Sequence, residues 1–110
     1  MGQMNMNDEL AALVSKVQQL LAMLKPLERT GDRKATLFAD GVRRRLDALR
    51  NAMASGDADR LTSILLDIVP SAKDLDSIGF RIDLYPDMRA LANDIGGTAA
   101  EIAKPLIDTP

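Results

Sequence analysis

Three pairs of carboxylates are the residues best spaced to do chemistry: Asp57 with Asp59, Asp74 with Asp76, and Asp83 with Asp87. Paired carboxylates can hold Mg²⁺ or divide acid and base roles. Each pair, however, stands where a helix is expected to begin. There an aspartate caps the first turn and complements the helix dipole. No Glu-x-x-Glu or Glu-x-x-His pattern accompanies them, as it does in metal-binding bundles. The chain has no His and no Cys. That removes the commonest general base, the commonest transition-metal ligand, and all thiolate and disulfide chemistry. No phosphate loop, nucleophile elbow or dinucleotide fingerprint is present. The residues imply no metal, no cofactor and no enzymatic activity.

The sharpest charge feature is Arg43-Arg44-Arg45, which shares one expected helix with Arg33, Lys34 and Arg50. Arg43, Arg44 and Arg50 are the candidate phosphate contacts of a nucleic-acid-associated regulator. Other features favour an ordinary solvated, salt-bridged face. Asp40 stands four residues before Arg44, and Asp47 lies between Arg43 and Arg50, so local ion pairs can neutralise the run. Consecutive arginines point about 100° apart on a helix and do not form one stripe. No aromatic residue interleaves them for base stacking.

Something must position these groups, and the chain's apolar pattern says what. At 110 residues it fits one small domain. Its aromatics are Phe38, Phe80 and Tyr85, with no Trp. The core is therefore aliphatic, a palette that suits helix on helix better than a sheet. Leu10, Leu13, Val14, Val17, Leu20, Leu21 and Leu24 recur at steps of three and four, the spacing of one helix face. The first helix is expected over about 8–24, capped by Asn7 and stopped by Pro26. Thr30-Gly31-Asp32 ends one element and caps the next. The second helix is expected over about 33–54, with Ala35, Phe38, Val42, Leu46, Leu49 and Met53 on its buried face. A short loop between two such helices predicts an antiparallel hairpin.

Shorter helices should complete the core. One is expected from Ala58 to about Val69, ended by Pro70, with another turn or two after Ser71 carrying Leu75 and Ile78. Phe80, Ile82 and Leu84 alternate with Arg81, Asp83 and Tyr85. This pattern predicts an extended connector that buries the three apolar residues, with an intermolecular strand pair as the alternative. A helix over about 87–95 should end at Gly96-Gly97. A last short helix should begin at the capping box Thr98-Ala99-Ala100-Glu101 and end or bend at Pro105. The expected fold is an all-α bundle built on the long hairpin, with three or more shorter C-terminal helices. Residues 1–6 read as a flexible tail, 7–107 as a single helical domain and 108–110 as a frayed end.

The back of the first helix carries the functional expectation. Ala11, Ala12, Ser15, Gln18, Gln19 and Ala22 face away from the leucines, and Lys16 is the one charge between Leu10 and Leu24. Small uncharged residues let a second helix approach closely, and interface centres are depleted of charge. A bland exposed face of good helix formers is the ordinary alternative. On the second helix, Gly41, Ala48 and Ala52 line up beside Arg45, a surface expected to be covered by a later helix of the same chain. Leu37 lies outside both stripes. The expected function is a protein-interaction module (regulator, adaptor or inhibitor) whose partner is another protein or a second copy. With no apolar run near the ~20 residues of a membrane span, the chain reads as soluble and cytoplasmic. Its size suits a histidine phosphotransfer bundle, but there is no histidine to phosphorylate.

Overall fold

The computed structural model describes residues 6–108, and these form an all-α bundle without strands. Helix α1 spans Met6–Arg29, α2 Arg33–Ser55, α3 Ala58–Leu65, α4 Ala72–Ile78 and α5 Pro86–Asp108, with a 3-10 turn at Ile82–Leu84 before α5. The long α1 and α2 pack as the expected hairpin, and α5 lies against α1 and α3. The expected flexible stretch over residues 1–5 and the end at 109–110 lie outside the described residues. Met6 and Asp108, both expected outside the folded domain, are the first and last residues of helices.

The leucine stripe accounts for α1. Leu10, Leu13, Val17, Leu20 and Leu24 are buried, and Val14 and Leu21 are partly buried at the stripe's edges. On α2 the buried set is Ala35, Phe38, Ala39, Gly41, Val42, Leu46, Leu49 and Ala52. Full burial of one leucine-sized side chain contributes about 1.5–3 kcal/mol, so the facing stripes are the main source of the hairpin's stability. The loop works as its residues dictate. Gly31 takes φ +84°, and the Asp32 carboxylate accepts the Ala35 N–H at 3.1 Å. Gly56 and Asp57 repeat the device before α3, with φ +71° and a 3.1 Å bond from the Arg60 N–H. Ser71 and Asp74 close a reciprocal capping box at the start of α4.

Four helix expectations are corrected. Asn7 lies inside the first turn of α1 rather than capping it. Pro26 does not stop α1, which continues to Arg29. A proline this near the end forfeits one backbone bond, to the Ala22 carbonyl, and Ala22 is exposed, so water can take that carbonyl. The helix expected to end after Leu24 instead closes with Leu27 partly buried against the core. The α3 helix stops at Leu65 rather than near Val69, and Ile68 is buried from the turns that follow.

The fourth correction is the largest. The two short helices expected at 87–95 and after Thr98 are one helix, α5, of 23 residues, running through Gly96-Gly97 and Pro105. Its buried residues Met88, Ala92, Ile95, Ala99, Ile102 and Ala103 keep one helical face across the glycine pair. Burial of that continuous face against α1 and α3 outweighs the roughly 1 kcal/mol that each glycine costs in a helix. The Thr98 capping box therefore does not form, and the Thr98 hydroxyl instead accepts a hydrogen bond from Lys16.

The stretch 80–85 is not an extended connector: it turns through a 3-10 helix at Ile82–Leu84. Phe80 is buried, Ile82 is partly buried and Leu84 is 63% exposed. The tighter coil swings Leu84 out of the line that alternation predicted. The chain's three aromatic residues meet here. The Phe38 and Phe80 ring centroids are 5.0 Å apart, and Phe80 stacks on Tyr85 at 5.6 Å with the planes 9° apart.

Candidate interaction surface

The outer face of α1 is presented by the same geometry that buries its leucines. Ala11, Ser15, Gln18, Gln19 and Ala22 are exposed. Ala12 departs from them: it is partly buried at a cleft of about 300 Å³ that it shares with Glu9, Lys16, Thr98, Glu101 and Ile102. Lys16 does not lie on the open face. Its ammonium turns to α5, 3.0 Å from an Asp94 carboxylate oxygen and 3.0 Å from the Thr98 hydroxyl. These contacts, with Met88 beside Met23 and Leu27 at the other end, fix α5 antiparallel to α1. They also remove the one charge that could interrupt the strip from Ala11 to Ala22. The exposed side of α2 is the internal contrast, with Arg33, Lys34, Arg43, Arg44, Asp47 and Arg50 all reaching solvent.

The second side of α2 is covered from within. Gly41 and Ala52 are buried, Ala48 is partly buried, and α3 packs over them. Arg45 ties the two layers together. Its guanidinium donates to the Asp67 backbone carbonyl at 2.7 Å and to the Gly41 carbonyl at 3.2 Å. A side chain at position 41 would meet Arg45, since an added Cβ would lie 3.1 Å from its Nη1. The glycine on this face therefore serves the chain's own packing.

The three candidate phosphate contacts are not brought together. Arg43 is held by Glu28 at 2.7 Å and Asp40 at 2.8 Å. Its pKa is raised above the ordinary arginine value, first by the hydrogen bond to Glu28. Arg44 and Arg50 make no ion pair among the described residues, but their positions on α2 lie about 120° apart. Sequence reasoning paired Asp40 with Arg44; the carboxylate takes Arg43 instead, three residues on.

Asp57 and Asp74 cap helices, and no group of three or more acidic residues among the described ones could hold a metal ion. Asp83 accepts two hydrogen bonds from the Arg81 guanidinium, at 3.0 and 2.8 Å. These bonds hold its carboxyl below the usual carboxylate range. A group depressed in this way adds stability above its unfolded pKa of about 3.9 and loses it as pH falls through the folded value. Both partners are solvent-exposed, so the carboxyl itself is the useful readout. An NMR titration of Asp83 should give a value below 3.9 in the native protein and a return to about 3.9 in Arg81→Gln.

Two concavities had no signal in the sequence. The wider, about 480 Å³, lies between the α3–α4 connection and α5, with Leu75, Phe80, Arg89, Asn93, Gly96 and Gly97 among its walls. The other, about 410 Å³, is mostly apolar and joins Met23 and Leu27 to Leu84, Tyr85 and Met88. Its residues come from two segments distant in sequence, one in α1 and one running from the 3-10 turn into α5, and Leu84 of that turn is exposed. Among the described residues no helix is long and apolar enough to cross a membrane. Comparison with known proteins finds no matching family model, no similar curated protein and no similar solved structure.

Proposed function

We propose that this chain is a non-enzymatic protein-interaction module, acting as a regulator, adaptor or inhibitor, that works through its helical faces and associates with itself through the outer face of α1. One observation carries the reading. Ala11, Ser15, Gln18, Gln19 and Ala22 form an exposed strip without a charge, on a helix whose single intervening lysine is turned away to Asp94. A helix face kept for solvent ordinarily carries several charges, as α2 does. The alanines of the strip lose no side-chain entropy when a second helix packs on them. The nucleic-acid alternative draws less support, because Arg43 is engaged by two carboxylates and Arg44 and Arg50 diverge.

Substitution tests the reading. Ala11→Glu and Ala22→Glu place a charge on the strip without touching the core, so helix content by circular dichroism should be unchanged. Light scattering should show the wild type associated and both variants shifted at least about tenfold toward monomer, since an unpaired charge is costly to desolvate in an interface. Ser63→Glu, on the exposed side of α3, should associate like the wild type. Identical, well-folded monomers throughout would remove self-association through this face.

A further inference from the structure

We infer that the cavity of about 480 Å³ between the α3–α4 connection and α5 is a binding site for a small aromatic carboxylate, its carboxylate on Arg89 and Asn93 and its ring on the bare backbone at Gly96 and Gly97. The site does not involve the outer face of α1 and does not rest on self-association. Its volume falls in the range of small-molecule sites, about 300–1,000 Å³. Its lining has their character too, apolar with a few polar groups. Leu75, Phe80 and Ala92 are buried apolar walls, whereas Arg89 and Asn93 are exposed.

The glycine pair is the first sign of an occupant. Gly96 and Gly97 lie inside α5 without positive φ, and a Cβ on either would meet nothing within 4 Å. Two glycines within a helix lower stability, and neither turn geometry nor the chain's own packing calls for them. Both line the cavity. Side chains there would take up space in which a ligand can lie close to the helix backbone. Local rules are broken in this way at functional sites. Inside a helix the N–H groups are already bonded, so the bare stretch suits a flat apolar ring rather than a polar group.

Arg89 is the second sign. The other arginine of the cavity, Arg81, is committed. It donates to both oxygens of Asp83, at 3.0 and 2.8 Å, and interacts electrostatically with Asp76. Arg89 feels the Asp83 charge only at longer range and makes no ion pair among the described residues, so its donors are unspent. Asn93 follows it at the (i, i+4) spacing that makes two side chains neighbours on a helix. A guanidinium fork takes both oxygens of a carboxylate, and the Asn93 amide can donate to one of them. Gly97 is a further turn on, about 6 Å along the axis from Asn93. A ring joined to its carboxylate by one carbon spans that distance. A free acid and the C-terminal aromatic residue of a peptide share this chemistry.

The probes are β-naphthylacetate, its amide β-naphthylacetamide, and the peptide N-acetyl-Gly-Gly-Phe, each titrated against the full chain by heteronuclear NMR. The acid should bind with a Kd of about 1 mM or tighter, and the shifts should centre on the Gly96 and Gly97 amides. The amide should bind about tenfold more weakly, because it forgoes the charge-assisted bonds. Arg89→Gln should remove that preference for the acid. Replacing Gly96 and Gly97 together by alanine should weaken the acid at least about tenfold, by placing two methyl groups in the occupied space. Tighter binding of the peptide than of β-naphthylacetate would make a peptide C-terminus the source, and the reverse a free acid. No binding of the acid at about 5 mM, equal binding of acid and amide, or shifts away from α5 would overturn the site.

Discussion

Phe38→Ala should lower the stability of the fold by about 3–5 kcal/mol. The ring is 1% exposed on the buried face of α2. It is also the link between the hairpin and the irregular segment before α5, because its neighbour is Phe80, 5.0 Å away, and Phe80 stacks on Tyr85. Truncation would open a cavity at the one place where every aromatic side chain of the protein meets. Tilted and stacked ring pairs contribute about 0.5–1.5 kcal/mol each beyond the area they bury. Against a total stability of about 5–15 kcal/mol for a domain of this kind, that is a large share. Urea unfolding followed by circular dichroism measures it. Leu37, the adjacent residue, is 42% exposed, and Leu37→Ala should change stability by less than about 0.5 kcal/mol. Equal losses at 37 and 38 would mean that α2 is rotated from the orientation described.

Replacing Gly96 and Gly97 together by alanine should have the opposite sign and raise stability by about 2 kcal/mol. Both glycines lie inside α5, and neither has positive φ. A Cβ added at either position would meet nothing within 4 Å. Neither turn geometry nor internal packing requires a glycine there, and each carries a backbone entropy cost of about 1 kcal/mol relative to alanine. Thermal unfolding of the single and double variants measures the gain. A loss of stability would show that α5 is bent or broken at the pair, as the local sequence alone suggested.

That disagreement shows where sequence reasoning succeeded and where it failed. The hairpin was legible because Leu10–Leu24 and Ala35–Met53 each carry an uninterrupted period, with Gly31-Asp32 as a clear boundary between them. The C-terminal half is less legible because Gly96-Gly97 and Pro105 are strong local breakers, yet α5 runs through them. The face from Met88 through Ile95 and Ala99 to Ile102 continues across them, and tertiary burial decided the outcome. Pro26 is a weaker breaker than its type suggests, because so near the helix end it costs one backbone bond. Alternation at 80–85 misled in another way: three apolar residues in step resemble a strand, but only Phe80 has an aromatic neighbour to pack against, so the segment coils around that anchor and releases Leu84.

The surface was less legible than the core. Helical angle was enough to place Ala11, Ser15, Gln18, Gln19 and Ala22 on an open strip. It could not say that Ala12 leans into a cleft with α5, nor that Lys16 leaves the strip for Asp94. Both depend on where α5 lies, and its course was not readable. The Arg43 pair with Glu28 spans α1 and α2 and is hidden because Glu28 lies beyond Pro26, where the first helix is expected to have ended, whereas its pair with Asp40 is local and within reach of sequence.

Sedimentation equilibrium of the wild-type chain at about 100 µM, a concentration suited to a small interface, tests the central claim most directly. Self-association through the charge-free face of α1 predicts an average mass approaching twice 11.9 kDa, falling toward the monomer on dilution. A mass of 11.9 kDa at every concentration would contradict it.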